Sequence, residues 1–165
     1  TITGLRVEGG TDLLVVMDGS STDDAGPYDL SISVGTEMPI DIDLGSLLGR
    51  HEGSNEDADL DFLPSGCSFN SGADVLHQWT APVTGRYRFR LLPVGTTFDT
   101  VLSLHIPCSD DSLSCEDTFL PFEGGGELIE AQVHQGERLV IRVAGYQPPY
   151  ESAATGDYLL EISVL

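Results

Sequence analysis

Apolar and polar residues alternate with a period of two along most of this chain, and that pattern predicts β-strands. The stretch "TGRYRFRLL" shows it most clearly, because Tyr87, Phe89 and Leu91 fall on one face and three arginines on the other. The same period predicts shared faces in three other strands: Ile40, Ile42 and Leu44; Val75, His77 and Trp79; and Phe98, Thr100, Leu102, Leu104 and Ile106. Short strands separated by turn residues are typical of an antiparallel β-sandwich or jelly roll. We therefore predict an all-β fold.

Helical periodicity is scarce in the sequence. The stretch "LGSLLGR", residues 44–50, predicts a single helical turn at most. The acidic, glycine-rich segment from His51 to Gly72 is interpreted as one long ordered loop. No apolar run approaches the roughly 20 residues that a membrane-spanning helix needs, so no membrane span is predicted.

The end of the strand pattern occurs twice. The stretch "GTDLLVVMDG" (residues 10–19) aligns with "GERLVIRVAG" (residues 136–145), and the strands on both sides of each stretch also match. The long sequence before the second copy has no counterpart before the first. We therefore predict two units: residues 1–34, an extra N-terminal half-repeat of about three strands that corresponds to the C-terminal half of a preceding sandwich or to donated strands, and residues 35–165, a complete β-sandwich module.

The two copies differ on one face of the matching strand. Arg142 lies on a face that we expect to be at least partly wet, and Val16 takes its place in the first copy. With Leu14 and Val16, the first strand is apolar on both faces and should be covered on both. Three strands cannot bury this pattern alone and would leave open edges. Three arrangements would cover and pair these N-terminal strands: a front half that lies upstream, the module's own sandwich, or another copy of the chain.

The charge balance limits the choice of partners. The chain has 27 acidic and seven basic residues, every base is an arginine, and the formal net charge is −20. Such a polyanion is repelled by nucleic acid and by anionic lipid, so neither is a predicted partner. Either the charge serves solubility alone, or some of the carboxylates bind a divalent cation, with Ca²⁺ the best match for clustered aspartates.

The candidate calcium ligands form two groups. One is the alternating run Asp57, Asp59 and Asp61, which lacks the glycine and glutamate of an EF-hand loop. The other is a predicted hairpin tip with Asp110, Asp111, Glu116 and Asp117, to which Asp99 would come close. A solvated acidic loop is the alternative interpretation of both groups.

The three cysteines indicate in which cellular compartment the protein is found. Cys108 and Cys115 bracket six residues between two apolar runs, a spacing that a hairpin-closing disulfide would span, with buried free thiols as the alternative. Because such bridges persist in oxidising compartments, we predict a secreted protein, extracellular or at the cell surface. Cys67 is then left over, either buried or paired with another chain.

Catalytic patterns are missing from the sequence. The four histidines are far apart, and there is no nucleophile elbow, no His-Glu-x-x-His and no lysine, so we do not predict an enzyme. One turn that the first copy lacks carries Tyr146 and Tyr150 on either side of two prolines. An exposed tip of this kind would contact a partner or a sugar ring, although a merely rigid loop is the more common case.

Several of these stretches resemble the bacterial pre-peptidase C-terminal domain, in the version repeated in secreted proteins of myxobacteria and their relatives. They are "WTAPVTGRYRF" (Trp79–Phe89), "FDTVL" (Phe98–Leu102), the cysteine pair, and the closing "LVIRVAGY" and "GDYLLEISV". The resemblance covers residues 40–164, with the tail of a preceding copy at 2–34. It implies a small extracellular β-sandwich without catalytic machinery, some relatives of which bind calcium or insoluble polymers. The family's Asn-Asp-Asp-like turn is replaced here by Glu116-Asp117-Thr118.

Two functions fit this sequence. The first is a non-catalytic structural protein that self-associates head-to-tail through its N-terminal strands, as the subunit of a filament or surface array, with other copies or neighbouring repeats as partners. The alternative is a binding or targeting module for polymer or carbohydrate adhesion that belongs to a larger secreted hydrolase.

Overall fold

The structure is a computed structural model that describes residues 14–16, 26–27, 30, 38–60, 62, 71–107, 112–117 and 126–165. These ranges contain strands and no helix. The strands are β1 (Ile42–Asp43), β2 (Gly49–Ser54), β3 (Ser71–Thr80), β4 (Gly85–Leu91), β5 (Thr100–His105), β6 (Ser112–Glu116), β7 (Leu128–Val133), β8 (Arg138–Tyr146) and β9 (Asp157–Val164). Sheet A has the order β1-β3-β8-β5-β6 and sheet B the order β2-β9-β4-β7. The predicted all-β sandwich is confirmed.

The main core lies between the two sheets. The alternation in β4 is confirmed, because Tyr87, Phe89 and Leu91 are fully buried while the arginines between them face outward. Trp79 of β3 meets the rings of Tyr87 and Phe89 edge-on, with centroids 4.9 and 5.5 Å away. Its indole N–H donates to the carbonyl of Leu47 at 2.9 Å, which satisfies the ring's one polar group.

The outer face of sheet A is covered as well, contrary to the sequence-based expectation for Arg142. Buried Met38, Leu76 and Val140 form a second cluster there, and Phe62 packs against it. Strand β8 is therefore buried on both faces, and Arg142 is completely buried rather than partly wet. The period of two predicts which residues share a face, but it cannot show that another segment crosses that face.

Two further expectations need correction. Ile40 does not share a face with Ile42 and Leu44, because it packs in the outer cluster while the other two join the main core. The segment 51–72 is not one long loop, since most of β2 and the start of β3 lie within it. Among the described strands, β2 is at the edge of sheet B and pairs only with β9, so its outward side chains are polar and its sequence resembles a loop.

The predicted half-repeat falls almost entirely outside the described residues. Of residues 1–34, only 14–16, 26–27 and 30 are described, so its three strands and the boundary at 34/35 stay predictions.

Candidate functional site

One end of the sandwich is uniformly acidic. Loops 55–60, 92–99, 117, 126–127 and 147–156 meet there and bond to one another, for example through Tyr146 N–H to Asp99 O at 2.9 Å and Asn55 N–H to Gly156 O at 3.2 Å. Their described residues carry no arginine, lysine or histidine. Their acids are Glu56, Asp57, Asp59, Asp99, Asp117, Glu127 and Glu151. We call these loops the acidic end.

Glu127 is the buried member of this group, with only 1% of its surface exposed. The Thr100 hydroxyl donates to its Oε2, while its Oε1 has no hydrogen-bond partner among the described residues. Burial is the main cause that raises the pKa of Glu127 to about 7, and the charges of Asp99 and Asp117 act in the same direction against the Thr100 hydrogen bond. Burial and the Asp117 charge also raise the pKa of Asp99. The end therefore holds a carboxyl group that exchanges its proton near neutral pH.

The predicted calcium ligands are only partly brought together. Asp99 and Asp117 come within electrostatic range of each other, whereas Asp57 and Asp59 are exposed in the separate loop 55–60. Glu116 and Asp117 do not belong to the hairpin tip, because they lie at the end of β6 away from the turn that joins β5 to β6. In the described part of the chain, no group of three acidic, histidine or cysteine side chains has an arrangement that would hold a metal.

Three of the proposed ligands cannot be placed. Asp61, Asp110 and Asp111 lie outside the described residues. Calcium binding therefore stays a prediction.

Tyr150 stands out at the acidic end because its ring is fully exposed and its backbone is unusual. The N–H of Glu151 donates to Pro148 O at 3.2 Å, and Tyr150 has a φ of 70°. Proline followed by a residue with positive φ gives a type II turn, in which glycine is the favoured third residue. Tyr146 is different, because it is half-buried and packs against Val101 and Ala144. Only Tyr150 of the predicted pair offers its ring to a ligand.

The histidine in the core has a structural role. Nδ1 of His77 faces the Ile141 carbonyl at 3.3 Å and must carry the proton, so Nε2 accepts from the Tyr158 hydroxyl at 3.0 Å. Burial lowers the pKa of His77 to about 4 and raises the pKa of Tyr158. His77 is thus held neutral as a bridge between the two sheets.

A second histidine forms a contact that the sequence analysis missed. Ser103 Oγ and His105 Nε2 are 2.8 Å apart on the outer face of β5, and Phe62 meets the imidazole edge-on at 5.1 Å. Serine beside histidine is the core of many nucleophilic sites. Here both side chains are completely buried, so a substrate would not reach Ser103 in the folded state.

Cys115 on β6 is disulfide-bonded. The predicted partner, Cys108, lies outside the described residues, as does Cys67. The pairing of Cys108 with Cys115 therefore stays a prediction.

The outward surface of sheet B carries most of the arginines. Its charged side chains are Arg50 and Glu52 on β2, Arg86, Arg88 and Arg90 on β4, Glu130 on β7, and Asp157 and Glu161 on β9. We call this surface the arginine face. Its four arginines face four carboxylates, so this surface is close to neutral on a chain whose net charge is −20.

Comparison with solved structures finds four chains that match, among them two similar domains. One is the pre-peptidase C-terminal domain of a collagenase from Bacillus anthracis, with 10% identity, 78% of this chain and 100% of that chain covered, and a TM-score of 0.44. The other is PliG of Aeromonas hydrophila, a periplasmic inhibitor of g-type lysozyme, with 11% identity, 74% and 97% covered, and a TM-score of 0.40. No family model and no curated protein matches the chain.

The first of these neighbours carries the family name that the motifs at residues 79–89 and 98–102 suggest. Both TM-scores lie below 0.5. The described residues contain no helix long and apolar enough to cross a membrane.

Leu14 and Val16, the predicted self-association residues, are 88% and 75% exposed, and Val15 between them is 50% exposed. Their counterparts in the complete module, Val140, Ile141 and Arg142, are all fully buried.

Glu127 was missed as a site residue although the sequence holds its signal. It precedes Ile129, Ala131 and Val133 at the same parity, and two of these are buried in the main core. A carboxylate at an inward position is a candidate for a shifted pKa.

Proposed function

We propose that this chain is a non-catalytic, extracellular interaction module that packs against like modules, namely other copies of itself or neighbouring repeats, through its N-terminal residues. The observation that carries this proposal is the contrast between residues 14–16 and 140–142. The same strand pattern is covered on both faces in the complete module, while Leu14 and Val16 are open to solvent.

The energetic argument follows from that contrast. Fully burying an aliphatic side chain is favourable by about 1.5–3 kcal/mol, so covering Leu14 and Val16 would contribute several kcal/mol to an association. Adjacent exposed apolar side chains on a highly charged protein mark an interaction site more often than isolated ones do.

The contact is better described as packing against a neighbouring module than as an exchange of strands. In the complete module, β8 lies between β3 and β5, and β9 lies between β2 and β4. The described part of each chain has one such set of partner strands, which its own β8 and β9 already fill. A second back half would therefore have to dock on the outside of another module or pair with a repeat of its own.

The disulfide bond of Cys115 supports the extracellular part of the proposal, because such bonds persist in oxidising compartments. Polymer or carbohydrate adhesion is the alternative, and the exposed ring of Tyr150 is the observation that favours it.

Sedimentation analysis of the chain over a range of concentrations tests the proposal. We expect the average mass of the wild-type chain to rise above 17.6 kDa with concentration. The Leu14→Asp/Val16→Asp variant should need a concentration on the order of 100-fold higher for the same mass, because two charges replace buried apolar contacts.

The matched control is Leu47→Asp/Val83→Asp, which places the same charges at side chains that are 63% and 52% exposed on other loops. This control should sediment like the wild type. Superimposable curves for the wild type and the Leu14→Asp/Val16→Asp variant would show that residues 14 and 16 make no contact between copies.

A further inference from the structure

The arginine face contains a cation that the fold leaves incompletely neutralised. Glu130 accepts from Arg86 at 2.8 Å and from Arg88 at 2.7 Å, and Glu161 accepts from Arg50 at 3.3 Å. Arg90 forms no ion pair with any described residue, and its buried Nε finds no hydrogen-bond partner among them. Because a guanidinium has five N–H donors, Arg90 is an open position for a carboxylate.

The surroundings of Arg90 suit a docking contact. Arg90 lies on β4, with β9 and β7 on either side, and its register partners are Glu161 and Leu128. Leu128 is 38% exposed and provides an apolar wall beside the guanidinium. Arg86, Arg88 and Arg90 repeat every second residue, so their side chains are spaced about 7 Å apart along the strand.

The acidic end is the complementary surface on the same molecule. Its described loops carry acidic side chains and no basic ones, together with the fully exposed ring of Tyr150. Arginine binds carboxylates in a fork and also stacks on aromatic rings, so one surface with both groups matches an arginine row better than carboxylates alone would.

We propose that the acidic end of one molecule docks on the arginine face of a second copy, with Tyr150 against a guanidinium and carboxylates opposite Arg86 and Arg90. This contact deepens the proposed function and rests on it, because both assign another copy of the chain as the partner. The two surfaces lie on different parts of the module, so the contact is heterologous and repeats into an open chain of molecules.

Long-range charge does not prevent this contact at physiological ionic strength. Two molecules of net charge −20 repel each other in dilute buffer. At ~0.15 M salt the screening length is ~8 Å, so the contact depends on the groups that face each other rather than on total charge.

A mixing experiment tests the proposal. All proteins carry Leu14→Asp/Val16→Asp, which removes the N-terminal contact. One variant adds Tyr150→Gly and impairs only the acidic end; the other adds Arg86→Gln/Arg90→Gln and impairs only the arginine face. Each variant alone should associate at least roughly tenfold more weakly than the parent. An equimolar mixture should form a complex of two chains that grows no further, because each partner has one intact surface.

Three controls accompany the mixture. Arg138→Gln removes one arginine charge at an exposed position outside the arginine face and should associate like the parent. Tyr150→Phe keeps the ring and should do so as well. Thermal unfolding verifies that each variant folds, and glycine suits the positive φ of residue 150.

The proposal is wrong if the parent stays monomeric, if either variant associates like the parent, or if the mixture yields no two-chain complex. It is also wrong if copies fail to bind while an arginine-rich peptide binds through Tyr150, since the partner would then be a different basic protein. These results leave the N-terminal contact untouched, because that contact is judged only by comparing the wild type with the Leu14→Asp/Val16→Asp variant.

Discussion

Glu127 is a carboxyl group that the fold keeps from water, and its position explains its proton affinity. Its side chain points inward from the residue before β7, and two other acids lie within electrostatic range. Burial is the main cause of the raised pKa, so the protonated form suits the folded state best. The Thr100 hydroxyl offsets only part of that effect.

This environment predicts that Glu127 lowers the free energy of unfolding by an amount that depends on pH. Its pKa is about 7 when folded against an ordinary 4.5, so the folded state keeps a proton that the unfolded state releases. The free energy of unfolding should therefore fall as the pH rises from about 4.5 to about 7, by up to about 3 kcal/mol. Glu127→Gln should match the wild type at about pH 4.5 and exceed it at about pH 8.

Denaturant titrations at both pH values measure this difference. Glu56→Gln, an exposed acid of the same end, is the control and should show no such gain. Equal stability of Glu127→Gln and the wild type at the higher pH would contradict the prediction.

At the scale of elements, β8 is the strand that contributes side chains both to the main core and to the outer cluster. Its inward residues Leu139, Ile141 and Val143 join the main core, while Val140 packs in the outer cluster. Arg142 on the outer face donates through Nε to Asp74 Oδ2 of β3 at 2.5 Å, and both side chains are completely buried. Burial lowers the pKa of Arg142, and the Asp74 charge opposes that shift.

A buried ion pair of this kind predicts an unequal response to single and double substitution. Asp74→Ala should lower the free energy of unfolding by about 3–5 kcal/mol, because it leaves a buried guanidinium without this carboxylate. Asp74→Leu/Arg142→Met should cost less than the single change, since no buried charge remains.

Denaturant unfolding of the two variants provides the comparison. The control is Glu161→Ala, which breaks the surface pair with Arg50 and should cost less than about 1 kcal/mol. A double variant as unstable as Asp74→Ala would mean that shape, rather than charge, decides the stability here.

At the scale of the whole molecule, two buried groups act on stability in opposite directions. His77 has a pKa of about 4 in the folded state against an ordinary 6.5. Between these two pH values the unfolded state binds a proton at His77 that the folded state does not bind. Stability from His77 is therefore lost as the pH falls below about 6.5. Glu127 has the reverse effect over much of the same range.

We therefore expect the wild-type free energy of unfolding to change little between about pH 5 and about pH 6.5. In Glu127→Gln, stability should fall with decreasing pH because only His77 remains, and in His77→Gln it should rise. Denaturant titrations across that range give the three slopes. Parallel slopes for all three proteins would show that neither group titrates as its surroundings suggest.

The distribution of charge is also a property of the whole molecule. The acidic end collects the carboxylates of several loops, and the arginine face collects arginines from β2 and β4. Neither surface is contiguous in the sequence. Their separation on one module would permit the proposed head-to-tail contact between copies.

The sequence by itself determined the fold class and most of the main core. The period of two in β4 places Tyr87, Phe89 and Leu91 inside, and Val75 and Trp79 of β3 follow the same rule. This works because successive side chains of a strand point to opposite faces, so a sandwich with one wet side leaves a direct alternation in the sequence.

Only the tertiary structure decided what lies over the second face of a sheet and which loops meet. Arg142 is buried because other segments cross sheet A, and Glu127 meets Asp99 and Asp117 because the ends of β4, β6 and β8 come together. Strand pairing brings residues together across long separations in sequence, and alternation within one strand carries no information about the neighbours that pairing selects.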